Sequence, residues 1–524
     1  MKNPSLNRQK ITVFIFFAVF LCLGLSIFKD YGISWDEPRS RYNGVVAAKY
    51  IIKQDKELLN YPDRYYGTAF ETFLVGIEGV LNLTKNSRAT YLMRHLLTFL
   101  LFFCGVFFFY LLVKYNFSSW KIGLLGSLFL VLSPRIFADA FYNSKDLPFL
   151  SVFIISIYTL IRYLDKKLYF RAASFHAIVC ALLIDIRIAG IIVPVFTYAF
   201  FIRDLLINKS EPAKIKKEIA TLSLYTLLLV FFTILFWPVL WKRPLYHFIM
   251  ALNEMKQYTA WAGTVLYLGN YLDSRNLPWH YASLWVVITT PLLYSFCFLF
   301  GCWFSIRAFL SPHTYSRLSK RNNLIFILWL FTPLLSAIIF KSVLYDAWRQ
   351  LFFIYPAFLI ISLLGLVSLW GIIKKRFKRS GLQVVNAVFL VFVLIWLINP
   401  IKFMLQYHPY QNLYFNILAG RNMQEIKKNF ELDYWGLSYR KALEYILKND
   451  SSNTIKVFVA NYPGKYNSYI LTNDEQKRLL YVDRPEDAGY FLSNYRWHKQ
   501  DYPYKEEYYS IKIEGVKIMV IYKL

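Results

Sequence analysis

Long apolar runs recur along the chain, most of them near the ~20 residues that a helix needs to cross a hydrocarbon core. Eleven are read as membrane helices: 11–28, 94–113, 120–134, 147–163, 171–185, 187–202, 219–238, 282–303, 323–340, 351–372 and 382–398. The stretch "GTAFETFLVGIEGVLNL" breaks its apolar character with polar residues too often for a span. It predicts a helix lying in the membrane interface. Beyond residue 400 the pattern changes. "MQEIKKNFELDYWGLSYRKALEYILKND" has helical periodicity, whereas "TIKVFVA", "AGYFLSNY" and "IKIEGVKIMVIYKL" read as strands, the last with a Gly-centred turn. The expected architecture is an α-helical polytopic membrane domain, 1–400, followed by a small extracytoplasmic α/β domain, 401–524. No internal repeat is visible.

Composition supports the membrane reading. The 524 residues are 57% hydrophobic and 19% aromatic, above what soluble domains carry. No small-residue cleavage site follows the first run, so that segment is expected to remain as an anchor. The net charge of +28 would suggest nucleic acid in a soluble protein. Here the basic residues come in short clusters between apolar runs: "NRQK", "RYLDKKLYFR", "NKSEPAKIKK", "RLSKRNN" and "KKRFKRSG". With the N-terminus inside, every cluster falls on the cytoplasmic side, as the positive-inside bias requires. Nucleic-acid binding is not expected. The five cysteines, Cys22, Cys104, Cys180, Cys297 and Cys302, lie within apolar segments without ligand spacing and read as small hydrophobes.

This topology turns four loops outward: 29–93, 135–146, 239–281 and 341–350. Residues of unusual chemistry gather on that face: Asp36, Glu37, Arg135, Lys145, Asp146, Arg187, His280, Tyr345, Asp346 and Arg349. Charges near a bilayer are expensive unless paired or bound to something, and the positive-inside bias predicts few cations there. One chemistry fits the inventory. If a lipid-linked sugar phosphate rests at the outer interface, cations stabilise the phosphate that leaves, and an aspartate ionised at neutral pH takes the proton of the attacking hydroxyl. Phosphate departs as a stable anion, so no general acid is needed.

Each residue also has a plainer reading. Asp36–Glu37–Pro38 is a fitting helix start. Lys145 and Asp146 make a local ion pair, Arg187 neutralises Asp185, and buried charges do usually pair. His280, between Trp279 and Tyr281, belongs to an aromatic belt. Arg349 anchors a helix at the interface. What the plain readings leave unexplained is the shared side. P-loop, nucleophile-elbow and H-E-x-x-H signatures are absent. No two aspartates stand two apart, which disfavours the D-x-D metal site of many transferases that use nucleotide sugars.

The sequence resembles the GT-C membrane glycosyltransferases, in particular the family 39-like branch of protein O-mannosyltransferases and aminoarabinose transferases. The likeness rests on "ISWDEP", "SPRIFADAFYNSKDLPF", "IRIAG", "NLPWHY" followed by "ITTP", "LYDAWRQLFFIYP", "YHPYQNLYFN" and "DYWGLSYRKAL", in that order. It implies a polyprenyl-phosphate monosaccharide donor, an acceptor that is a glycan, lipid or protein, and inversion at the anomeric carbon. It implies that Asp36 acts at the reaction centre beside Glu37, with Asp146 assisting. Lys145, Arg187, Arg349 and Arg135 would contact the donor phosphate, and His280, Tyr345 and Asp346 would line the substrate pocket. A divalent metal is left open, with Asp36 and Glu37 as the carboxylates that would hold one. No outer loop before residue 400 is long enough for an inserted lumenal β-trefoil, which points to a bacterial plasma-membrane enzyme acting on a lipid-linked or surface glycan. The rival reading is a flippase for a lipid-linked glycan, which internal symmetry would favour. A membrane-anchored sensing protein would leave the outer charges unexplained.

Overall fold

The computed structural model describes residues 4–167, 169–207, 211–256, 263–310, 317–377 and 381–524. Parts of three expected basic clusters, 168, 208–210 and 378–380, and of the third outer loop, 257–262, lie outside them. Among the described residues nine helices are long and apolar enough to cross a membrane, or ten if a bent pair counts as one span. The protein is thus an integral membrane protein, and by length and composition its described helices give nine or ten spans against about eleven expected.

Prolines and length account for the difference. The run 120–134 forms Trp120–Val131 and then turns by 70° into Pro134–Tyr142. Pro134 has no N–H with which to continue the ladder. The run 171–185 forms the 17-residue helix Phe170–Ile186, about 26 Å at 1.5 Å per residue and short of the ~30 Å hydrocarbon core. It packs between Asp146–Asp165 and Pro212–Phe236. The run 282–303 is also interrupted, at Pro291, into Tyr281–Thr289 and Leu292–Leu310. The second of these packs backbone to backbone on Tyr355–Lys375. A Cβ at Gly301 would stand 1.9 Å from the Ile361 carbonyl oxygen, and one at Gly365 2.0 Å from that of Cys297, so only glycine permits the approach.

The stretch expected in the interface is the helix Ala69–Val80, but its polar residues face the protein. Glu71 and Glu78 are buried while Phe73 and Val80 point outward. Both carboxylates pair with the buried Arg94, at 3.1 Å for Glu78, and Arg41 holds Glu78 at 2.9 Å. Pairing makes burial of such charges tolerable.

A short hairpin, β1 (Thr264–Tyr267) and β2 (Asn270–Asp273), lies in the third loop. The C-terminal part contains β3 (Ile455–Val459), β4 (Leu479–Tyr481), β5 (Tyr490–Ser493), β6 (Glu507–Ile513) and β7 (Val516–Lys523), in the order β4-β3-β5-β7-β6. β3 runs parallel to β4 and β5, and the β5–β7 and β7–β6 pairs are antiparallel. The three strand stretches form as expected, and Glu514–Gly515 makes the last turn. β4 and the β1–β2 hairpin were not foreseen. The helical stretch after 422 divides into Met423–Asn429 and Ser438–Asn449, and its non-helical middle supplies Trp435. The helix Leu382–Gln406 runs through residue 400. Trp435, Leu437 and Ile446 share one apolar core with Phe141 and Tyr142 of the bundle. The C-terminal domain is docked on the first loop. Trp35 N–H donates to the Trp435 carbonyl at 3.1 Å, and the Asn467 side chain bonds both the N–H and the C=O of Ile33.

Candidate functional site

Three segments meet beneath the C-terminal domain. The first places Asp36 just before the helix Glu37–Lys53. Its side chain makes no capping bond there and reaches Arg349 at 3.0 Å. The helix-start reading therefore accounts for the backbone and not for the carboxylate. The second segment is the turn into Asp146–Asp165, where the Asn143 side-chain oxygen accepts from Asp146 N–H at 2.9 Å. The third is "YDAWRQ", which turns through left-handed residues, Asp346 at φ +54° and Ala347 at φ +64°. Such a conformation costs a non-glycine residue about 1 kcal/mol or more.

Arg349 is the hub. Its guanidinium pairs with Asp36 at 3.0 Å, Asp146 at 3.2 Å and Asp346 at 3.3 Å. Tyr345 and Trp435 lie on its faces, each 4.6 Å from it. Arg187 binds the other oxygen of Asp146 at 2.9 Å and donates to the Gln350 carbonyl at 3.2 Å. Arg187 is thus a partner of Asp146, not of Asp185, which instead accepts from Thr68 N–H at 3.3 Å. Lys145 makes no local pair with Asp146. Its ammonium sits 3.6 Å from the centre of the Tyr66 ring, and among the described residues it is in no salt bridge.

A fourth cation comes from the C-terminal domain. Arg496 binds Asp346 at 2.7 Å and also donates to the Tyr434 carbonyl. Its guanidinium lies 4.7 Å from both Trp35 and Trp497. Four cations, Lys145, Arg187, Arg349 and Arg496, thus face three carboxylates, Asp36, Asp146 and Asp346. Asp36 is the most accessible of the three carboxylates, with 31% of its side chain exposed.

The electrostatics follow from this crowding. Burial would raise the Asp36 carboxyl, but Arg349, Lys145 and Arg496 together hold it below the usual range. Burial pushes the Lys145 ammonium down to about 8, with Asp36 opposing and Arg187 reinforcing the change. Glu431, beside Arg496, is pushed up to about 7 by burial against the pull of Arg496.

Three expected residues lie elsewhere. Glu37 turns away from its neighbour and accepts from Ser34 N–H at 2.6 Å while bonding His95 Nε2 at 3.0 Å. With both Glu37 oxygens engaged and Asp36 held by Arg349, the pair does not fit a shared metal. Among the described residues no three His, Cys, Asp or Glu side chains group as ligands. Arg135 is buried between Trp285 and Phe415, at 5.3 and 4.5 Å, and donates to the Tyr414 carbonyl. His280 bonds the Tyr267 hydroxyl at 2.7 Å at the hairpin, outside the ion-pair network. Tyr345 and Asp346 do join that network. Arg496 and Tyr66 were missed. The only signal for Arg496 was its setting in "NYRWHK", a basic and aromatic string in a polar domain.

Beside the network lies an apolar cavity of about 760 Å³. It runs among Tyr281–Thr289, Leu292–Leu310, Arg317–Ile339 and Leu382–Gln406, and Trp348, the residue before Arg349, is in its wall. Other wall residues, Phe296, Leu299 and Phe392, are exposed on the lipid-facing surface. The cavity therefore opens toward the bilayer.

No family model matches the chain, and no curated protein matches it. Among solved structures, ArnT from Cupriavidus metallidurans bound to undecaprenyl phosphate aligns over 97% of this chain and 97% of its own, at 11% identity and a TM-score of 0.49. Its apo state aligns over 98% of each chain at 11% identity and 0.49. The Archaeoglobus fulgidus oligosaccharyltransferase in complex with Zn and sulfate aligns over 91% of this chain and 68% of its own, at 11% identity and 0.44. Likenesses this distant carry no argument, and the chemistry of this chain rests on its own residues.

Proposed function

We propose that the chain is a membrane glycosyltransferase. It moves a monosaccharide from a polyprenyl-phosphate donor to an acceptor hydroxyl at the extracytoplasmic face, with inversion. The observation that carries this reading is the cluster at Arg349, where the accessible carboxylate of Asp36 stands among cations, with the preceding residue, Trp348, in the wall of an apolar cavity open to lipid. A ligand with an apolar tail and a phosphate head suits both halves. Orientation follows from charge. Arg162, Arg321 and Lys374–Arg376 lie near the helix ends away from the site, and basic residues favour the cytoplasm.

The ion pairs also suggest an order of events. While Arg349 grips Asp36, that carboxylate is a weak base. A donor phosphate competes for Arg349 and takes up the charge of Lys145, which releases Asp36 and returns its basicity. The acceptor oxygen then attacks the anomeric carbon as the bond to phosphate breaks. The electron pair leaves with the phosphate oxygen, the hydroxyl proton passes to Asp36, and Arg349, Lys145 and Arg187 stabilise the released lipid phosphate. Asp146 serves by fixing the two arginines.

The test is turnover in proteoliposomes with a panel of polyprenyl-phosphate monosaccharides, read as free polyprenyl phosphate and glycosylated product by mass spectrometry. Release from at least one donor is expected. Translocation of a lipid-linked sugar with no release from any of them would make the protein a flippase.

A further inference from the structure

Arg496 lies outside every motif that marked the site, yet two strained segments are built around it. Tyr495 and Trp497, on either side, are both left-handed, at φ +60° and +59°. Across from them Asp346 and Ala347 are left-handed as well. Local strain of this kind persists only where the surroundings over-determine it, and it clusters at functional sites. The Arg496–Asp346 bond of 2.7 Å is what joins the two segments.

We propose that Arg496 is a positioning residue, by which the C-terminal domain sets the turn that presents Arg349 to Asp36; the proposal rests on the glycosyltransferase reading above. The chain of contacts is short. Arg496 holds Asp346, Asp346 holds Arg349 three residues on, and Arg349 holds Asp36. A second path runs through Trp35, which stacks on Arg496 and directly precedes Asp36. Arg496 is itself fixed by the Tyr434 carbonyl, whose neighbour Trp435 covers Arg349. Only a planar donor can serve Asp346 and the Tyr434 carbonyl while lying between two indoles. Without it, Asp346 retains Arg349 alone, the left-handed turn relaxes, and Arg349 leaves the place from which it meets Asp36 at rest and would stabilise the leaving phosphate in turnover.

The test uses full-length protein in proteoliposomes. Arg496→Ala should lower kcat by about 10–100-fold, the scale of a small misplacement at a reacting centre, while the donor Kd stays within about threefold. Arg496→Lys should recover part of the loss, because its ammonium still reaches Asp346. Asp346→Asn should reproduce the kcat defect, and combining it with Arg496→Ala should add little further. Wild-type kcat in Arg496→Ala, full additivity in the double variant, or parallel loss of kcat, donor binding and folded yield without rescue by Lys would each overturn the proposal. If wild-type protein turns over no donor, the functional reading fails. The structure of Arg496→Lys or Arg496→Ala still decides the positioning claim: a displaced 345–349 turn with Arg349 off Asp36 supports it, and an unmoved turn refutes it.

Discussion

Asp36 and Glu37 are adjacent in sequence, but successive residues at a helix start diverge by about 100°. One carboxylate meets Arg349 and the other meets Ser34 and His95. Glu37→Gln should therefore lower Tm, since a buried charge-assisted bond is weakened, while donor turnover changes less than about threefold; thermal melts and rates on the same preparation check this. Arg349→Lys keeps a charge but loses the planar fork, and kcat should fall by about 100-fold. Lys145 gives the pH dependence. Its folded value of about 8 lies below the ordinary 10.5, so the ammonium of the free enzyme is lost as pH rises through about 8. The profile of kcat/KM should fall there, and Lys145→Arg should stay flat across that range. Stability moves the other way. Between about 8 and 10.5 the unfolded chain binds the proton more tightly, so this group's contribution to stability rises with pH. Much of this site was legible because Asp36, Lys145, Asp146, Arg187 and Arg349 are charges set where a membrane chain should have few. Pairing was not legible. Arg187 finds Asp146 rather than Asp185, and Arg496 joins from 147 residues beyond Arg349, because partners are chosen by tertiary contact.

At the scale of elements, the apolar pattern located the spans but not all of their breaks. Pro291 interrupts a run that composition alone reads as continuous, and Pro134 ends another, whose helix spans only Trp120–Val131. The helix Ala69–Val80 shows the other limit, since its polar residues marked it as no span but not the direction in which they point. Arg94 fixes that direction by pairing with Glu71 and Glu78. Arg94→Met should leave Glu71 buried without a cation and Glu78 with Arg41 alone, and cost about 3–5 kcal/mol. Chemical denaturation in detergent measures it, and Glu71→Gln with Glu78→Gln in the same chain should return most of the loss.

Across the whole molecule, two kinds of surface are brought to one point. The bundle provides a lipid-open apolar cavity, the loops provide one accessible carboxylate among cations, and the C-terminal domain closes over that carboxylate's network through Trp435 and Arg496. The domain shares the bundle's core and covers the Arg349 ion-pair network. The role assigned to Asp36 is the centre of this account. Asp36→Asn keeps the shape of the side chain and removes the base. The deciding measurement compares it with wild type in the same proteoliposomes, reading donor binding and sugar release side by side. The account predicts donor binding by both proteins and release by wild type alone. Release by Asp36→Asn at the wild-type rate would contradict it.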